Sequence, residues 1–454
     1  MAAASEHEHL RPSVRVVDTV LVHPSSATSA EETSLPLTFY DVFWLRTPPV
    51  QRVFFYRLDA GADVDVILSS LRDSLSQAVG VFFPLAGRLR LAPGTTNRYE
   101  LHYRPGDAVA FTVAESDDDF DSLAADEPRA VSRLVPLAPP LPEGGAVLAL
   151  QVTTLNERRC LALGVTLHHA ACDGAGITLF RRTWAAFCAG AKPPPEPVID
   201  RTIISDPNGL YDFVCPKDEE VNKSLKILPV DEHLLFGTFV LSRAHLQRVK
   251  DLVAASHHGS LRCSSLVATL GLVWSCHQRA TNKPGGSGKS KTCLAFPVDH
   301  RSRLSPPVPD TYLGNCIGGA IAIASRADLA AAGGLFTACA AMAAAVEEAT
   351  RELQVLGACD LWRERVVEAA GMSVLSVAGS PRFGMYGLDF GFGRPAKMDI
   401  VSVARIGGAV AVEGSRAGDG GVEVGLALPP DGMDAFRRCF DEAITGLDMD
   451  VGAQ

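Results

Sequence analysis

The stretch Leu167-His168-His169-Ala170-Ala171-Cys172-Asp173-Gly174 sets a histidine and an acid four residues apart, between an apolar run and a helical one. The run before it, Cys160 to Leu167, is short and apolar and leaves the polar turn Asn156-Glu157-Arg158-Arg159, the pattern of a buried strand. The run after it, Gly174 to Ala189, carries Ile177, Phe180, Trp184 and Phe187 at spacings of three and four, the pattern of an amphipathic helix. His169 is thus placed where a strand ends and Asp173 where a helix begins. Asp is a favoured helix N-cap, so Asp173 alone reads as a cap.

An imidazole titrates near neutrality and takes a proton from a hydroxyl when it faces a cleft in one fixed orientation. A strand-to-helix junction supplies that rigidity. Consecutive residues leaving a strand face opposite ways, so only one of His168 and His169 faces a given cleft. His169 is the candidate base.

Upstream, Val14 to Leu21 alternates as a strand, Val64 to Val79 has a helical period, and Tyr99 to Tyr103 and Ala108 to Val113 are further strands. Ala146 to Leu155 and Cys160 to Leu167 form an expected antiparallel pair. Asp117-Asp118-Asp119 reads as a solvated acidic run. Lys192-Pro193-Pro194-Pro195-Glu196-Pro197 favours an extended linker, which predicts an N-terminal domain over 1–190, a crossover over 191–210 and a C-terminal domain over 211–454. In the second half the pattern predicts strands at Phe236 to Leu241, Thr292 to Pro297, Ile400 to Glu413 and Gly421 to Leu428. Helices are expected at Arg243 to Ala254, Leu261 to Arg279, Ala327 to Leu356 and Gly432 to Leu447. Irregular alternation without repeats predicts two α/β domains with mixed sheets.

Independent motifs accompany the histidine segment. Near the C-terminus stand Asp389-Phe390-Gly391-Phe392-Gly393 and Arg394-Pro395. Between lie Asp299-His300-Arg301-Ser302-Arg303 and Tyr312-Leu313-Gly314-Asn315-Cys316. Upstream are Leu35-Pro36-Leu37-Thr38-Phe39-Tyr40-Asp41 and Phe82-Phe83-Pro84-Leu85-Ala86-Gly87-Arg88-Leu89. Together, in this order and over most of the chain, they resemble the plant BAHD family of coenzyme A-dependent acyltransferases. Trp44-Leu45, Pro48-Pro49, Arg52-Val53-Phe54-Phe55-Tyr56 and Gly420-Gly421-Val422-Glu423-Val424-Gly425 are most similar to the branch that malonylates phenolic, flavonoid and anthocyanin glucosides.

The resemblance implies a chloramphenicol-acetyltransferase-like fold with an active-site channel between two domains, and a monomer that takes an acyl-CoA, first malonyl-CoA, as co-substrate. It implies that His169 is the general base and that Asp173 is structural, paired with Arg301 or Arg303. It further implies that Asp389, Phe390, Gly391, Phe392 and Gly393 shape the coenzyme A channel. The family's usual tryptophan is Phe392 here, which lacks an indole N–H, so Thr38 and Tyr40 are the candidate pocket donors for an oxyanion. Related malonyl-transferring sequences carry Lys or Arg directly after the Asp-Gly, where this chain has Ala175; Arg181 and Arg182 lie further along that helix.

Composition fits this reading. A length of 454 residues, 47% hydrophobic and 21% charged, makes ample core, and a net charge of −10 argues against a nucleic-acid surface. The eleven cysteines, among them Cys188, Cys276, Cys339 and Cys439, are scattered in apolar runs and read as reduced core residues without a zinc pattern, so no metal is expected. Met1 to Arg11 has no apolar core and no segment has membrane-spanning length, which leaves the cytosol as the expected compartment.

Other motifs are refused. Gly285-Gly286-Ser287-Gly288-Lys289-Ser290 ends like a phosphate loop, but Lys283 occupies its first glycine position and it follows a helix. His257-His258 reads as solvent-exposed, Asp389-Phe390-Gly391 lacks a kinase catalytic loop, and no GxSxG elbow is present. The remaining alternatives are a hydroxycinnamoyl-CoA-dependent O- or N-acyltransferase, a catalytically silent small-molecule-binding relative, and a condensation domain of the peptide-synthetase type.

Overall fold

The computed structural model describes residues 14–25, 31–206, 208–215, 231, 233–256, 261–281, 290–352, 364–365, 367–405 and 408–449. Met1 to Arg11, His257-His258 and the loop through Gly285 and Lys289 lie outside them. Strands are numbered β1 to β16 in chain order. The first sheet runs β1 (Val14–Val22), β6 (Val109–Ser116), β8 (Leu148–Leu155), β9 (Cys160–Leu167), β3 (Val50–Arg57) and β14 (Lys397–Ile400). The second runs β12 (Ile317–Ser325), β11 (Lys291–Asp299), β13 (Ser373–Ala378), β15 (Ala409–Gly414), β16 (Val422–Leu428), β10 (Leu235–Leu241) and β7 (Arg129–Ala130). A small third sheet joins β2 (Thr33–Pro36), β5 (Tyr99–Tyr103) and β4 (Arg88–Leu91). The pairs β6/β8, β11/β13 and β13/β15 are parallel and the rest antiparallel, so both large sheets are mixed.

β8 and β9 are largely apolar, with every residue of both strands buried and the few polar ones, Gln151, Thr153, Thr154 and Thr166, buried with them. One face packs on helices α2 (Val64–Val81) and α3 (Gly174–Cys188), where Phe54, Tyr56, Leu71, Phe82, Phe180 and Trp184 form a core. The second sheet carries its own core of Leu246, Trp274, Met342 and Phe436 from its covering helices. A third cluster, with Phe55, Phe120, Leu134, Phe236 and Val401, ties the two large sheets together.

Each large sheet takes a strand from the other half of the chain. β14 pairs with β3, and β7 pairs with β10. Their charged residues meet at the join: Arg129 makes a two-pronged bond to Asp399 at 2.7 and 3.2 Å, and Lys397 Nζ reaches Asp126 at 2.7 Å. Arg129, Lys397 and Asp399 are buried, where a charge is tolerated only with its partner, while Asp126 is half-buried.

Two expected elements divide. The run read as one strand over Ile400 to Glu413 is β14, a short 3-10 turn Val401–Arg405, and β15, which lie in different sheets. Val401, Val403 and Ala404 are buried between the sheets, so the turn has a strand's apolarity without its geometry. The helical stretch from Ala327 is two helices, Arg326–Ala330 and Gly334–Glu352. β3, β12 and β13 were not expected as strands. Asp117-Asp118-Asp119 is less idle than a solvated run, since Asp118 bonds Arg133 and Asp119 caps a short helix through Ser122 N.

The Pro-rich stretch is extended and lies alongside the second half, with Val198 N bonded to Thr311 O at 3.0 Å and Leu313 N to Val198 O at 2.8 Å. Gly164 lies at the centre of β9, where Leu137 O crosses so close that a Cβ would stand 2.1 Å from it. Gly164→Ala is therefore expected to lower stability by about 1–3 kcal/mol, because two backbone segments have to part. A denaturant melt of the variant checks this.

Candidate active site

β9 ends at Leu167 and α3 starts at Gly174, so the histidine pair lies in the turn between them. His168 N bonds Val147 O at 2.8 Å and continues the strand pairing, which turns the His168 ring into the core. There Ala170 N donates to its Nδ1 at 3.2 Å, and burial brings its pKa down to about 4. His169 faces the other way and is only partly buried. Its ring stacks on Trp44, with centroids 4.0 Å apart and planes at 17°.

His169 Nδ1 lies 3.1 Å from Asn315 Oδ1. Asn315 Nδ2 donates to the His169 carbonyl and to Asp41 Oδ1, both at 2.9 Å. Those two partners are acceptors only, so the carboxamide is fixed with its oxygen toward the ring. An oxygen there needs a donor, which places the imidazole proton on Nδ1 and leaves Nε2 with its lone pair. Burial lowers the His169 pKa, opposed by Asp173, Asn315 and Asp41, so the ring is a neutral base at pH 7.

Two buried carboxylates hold this arrangement. Asp173 caps α3 through Ala175 N at 3.0 Å and Gly176 N at 3.1 Å. It also receives Arg301 Nη1 at 2.8 Å, Arg301 Nη2 at 3.0 Å and Cys316 N at 3.0 Å. Asp41 accepts Asn315 N at 2.9 Å, Thr38 Oγ1 at 2.7 Å and Thr38 N at 2.8 Å, and forms an ion pair with Arg201. Arg201 Nη2 donates in turn to Ala171 O at 2.7 Å. Two acids and two arginines, each at most 4% exposed, leave no net charge in the cluster.

The other sequence-derived residues lie apart from this cluster or serve it differently. Of the two arginines, Arg301 meets Asp173, while Arg303 bonds the Asp299 carbonyl. The Thr38 hydroxyl donates to Asp41 Oδ2 at 2.7 Å, and the Tyr40 hydroxyl lies 2.8 Å from His300 Nδ1. Asp389 is exposed and accepts Gly391 N at 2.8 Å and Gly393 N at 3.1 Å, closing a turn whose glycines have φ of 96° and 109°. Only glycine takes such angles without strain. Phe390 packs on Trp184 of α3 with centroids 4.7 Å apart, and Phe392 packs on Tyr56 at 5.2 Å.

The structure adds Asn315, Asp41, Arg201 and Trp44. Three of them stand within or beside quoted motifs, and for Asn315 and Asp41 the signal was a polar letter in a largely apolar signature. Arg201 follows the Pro-rich stretch and carried no signal. The Trp44 indole N–H is buried and has no partner among the described residues. Among those residues no group of three or more His, Cys, Asp and Glu is placed to hold a metal, and no helix is long and apolar enough to cross a membrane.

The sequence that builds this site matches the Transferase family model over residues 12–443. The chain belongs to this family, the BAHD acyltransferases, and is an acyltransferase with an acyl-CoA as co-substrate. It is 35% identical to phenolic glucoside malonyltransferase 1 of Arabidopsis thaliana, over 95% of this chain and 97% of that one. It is also 35% identical to malonyl-CoA:anthocyanidin 5-O-glucoside-6''-O-malonyltransferase of the same plant, over 94% and 97%. The crystal structure of vinorine synthase superposes with a TM-score of 0.72 at 21% identity, covering 93% of this chain and 96% of that one, and shares the two-domain chloramphenicol-acetyltransferase-like fold.

His168 and His300 both have pKa values lowered by burial from 6.5 to about 4. His277 is lowered by burial to about 4 as well, so the unfolded chain takes up three protons near pH 6.5 that the folded protein refuses until about pH 4. Stability should fall across that window as the pH drops, by about 1.4 kcal/mol per pH unit for each histidine. Thermal melts in a buffer series check the slope, and replacing any of the three by an apolar residue should flatten it.

Proposed function

We propose that the protein moves a malonyl group from malonyl-CoA to a sugar hydroxyl of a phenolic, flavonoid or anthocyanin glucoside, with His169 as general base. The observation that carries the chemistry is an imidazole held at Nδ1 by Asn315 Oδ1 and stacked on Trp44, an arrangement that leaves Nε2 to take the proton. The donor and acceptor classes rest on the relatives, which are malonyltransferases by name. In this reading the working unit is a single chain in the cytosol. Its N-terminal domain spans 1–190, its crossover 191–210 and its C-terminal domain 211–454.

A thioester carbonyl is already electrophilic, so the protein has to activate the hydroxyl and align it. His169 Nε2 removes the hydroxyl proton as the oxygen bonds to the thioester carbon. The tetrahedral intermediate collapses by breaking the C–S bond, and the leaving thiolate recovers the proton from His169. Positive charge on the ring during this cycle is balanced by the Asn315 oxygen and by the Trp44 face. With Phe392 without a donor, the oxyanion falls to the Trp44 indole N–H, which has no partner among the described residues. Asp173 and Arg301 act by bracing the histidine turn, and the Asp389 to Gly393 turn shapes the channel wall by carrying Phe390 and Phe392.

The test is a crossed screen of purified protein. Malonyl-, acetyl- and p-coumaroyl-CoA are offered with flavonoid, anthocyanin and simple phenolic glucosides, following thiol release and product mass. The expected result is malonylated glucoside from the wild type, with His169→Ala slower by roughly 10²- to 10⁴-fold. Coumaroylated product in its place contradicts the donor, and no thiol release with any pair contradicts the activity.

A further inference from the structure

The histidine cluster balances its charges, but a second buried cluster beside it does not. Arg181 lies on α3 two turns beyond Gly174, is 2% exposed, and its Nε and Nη1 have no partner among the described residues. Its guanidinium stands over the Phe54 ring, 5.5 Å from the centroid. The charges that act on it are those of Arg52 and Glu413, which are already paired with each other. Two guanidinium groups thus share one carboxylate, and Glu413 Oε2 is itself buried without a donor among the described residues. Burial pushes Arg181 down to about 9 and pushes Glu413 up, as expected of groups short of partners.

An uncompensated buried cation is costly, and an arrangement that keeps one is completed by an anion from outside. The surplus lies next to the reacting centre. Helix side chains lean toward the N-terminus, which aims Arg181 back toward the histidine turn, and the guanidinium acts on the thiol of Cys172 in that turn. Phe383 closes the gap: a Cβ on Gly174 would stand 2.4 Å from its ring, and the Arg52 guanidinium is 6.0 Å from the same ring's centroid. Among acyl donors, malonyl-CoA differs from acetyl-CoA by a free carboxylate, the group a planar guanidinium binds with two parallel hydrogen bonds.

We propose that Arg181, with Arg52 behind it, is the specificity-determining residue that receives the free carboxylate of the donor's acyl group. Ala175 at the helix start offers no cation, and Arg181 supplies one from deeper in the same helix. Arg182 does not serve, since its Nη2 is bonded to Phe383 O at 2.8 Å. This assignment rests on the malonyl-transfer reading given above.

Wild type, Arg181→Met and Arg181→Lys are compared for kcat/KM with malonyl-CoA and acetyl-CoA on one glucoside acceptor. The melting temperature of each is also measured with either ester and no acceptor. Arg181→Met should lower the malonyl-to-acetyl preference roughly 10- to 100-fold, chiefly through KM for malonyl-CoA, and leave acetyl transfer in place. Arg181→Lys should recover part of the loss. The extra thermal stabilisation that malonyl-CoA gives the wild type over acetyl-CoA should vanish in Arg181→Met. An unchanged preference in Arg181→Met, or an equal loss for both esters, overturns the assignment while malonyl transfer by the wild type stands. A wild type with no preference for malonyl-CoA overturns the underlying reading and the assignment with it. If Arg181→Met does not fold, Arg181→Lys decides, with an unchanged preference counting against the site.

Discussion

Five hydrogen bonds converge on the carboxylate of Asp173, and most of the site follows from them. Two cap the helix that leaves the histidine turn. Two come from Arg301, at the end of a strand in the other large sheet. The fifth comes from Cys316 N, and it sets the loop in which Asn315 stands. One buried charge therefore fixes three chain segments relative to each other, and the last of them holds the imidazole in one tautomer. Removing either Asp173 or Arg301 takes away the nearest opposite charge of a buried group, a cost of several kcal/mol in comparable pairs, even though Arg301 keeps Asp299 at 3.4 Å. The acid of this motif is a brace that acts on the base through Asn315.

The contrast between the two buried charge clusters separates scaffold from recognition. Asp41, Asp173, Arg201 and Arg301 neutralise one another in two buried ion pairs, which suits a frame that stays constant through the reaction. Arg52, Arg181 and Glu413 carry one positive charge too many, which suits a surface completed by an anionic group of the substrate. Trp44 belongs to neither cluster. It covers one face of the base, and its buried indole N–H has no partner among the described residues.

Much of the architecture was legible in local periodicity. β8, β9, α2 and α3 announce themselves because their whole apolar pattern is buried against neighbours in one half of the molecule. The Ile400 to Glu413 run misled because a 3-10 turn packed between two sheets is as apolar as a strand. β3 and β14 were harder still, since their pairing joins residues some 350 positions apart and no local pattern encodes it. At the site, His169 was readable from a strand end, a helix start and the alternation of the histidine pair. Asn315 and Asp41 were visible as letters in motifs, but their roles depend on which polar atoms meet after folding. Arg181 was visible as a residue whose direction was unknown; only its burial without a partner gives it a meaning.

The most direct measurement is the protonation of the His169 ring, read from the nitrogen resonances of protein labelled with ¹⁵N in its histidine rings and assigned by comparison with His169→Gln. The expected result at pH 7 is a neutral ring with a protonated Nδ1 and a bare, pyridine-like Nε2, changing to a mixture of tautomers when Asn315 is replaced by leucine. A protonated Nε2, or an imidazolium at that pH, would contradict a general base held ready by Asn315 and, through it, by Asp173.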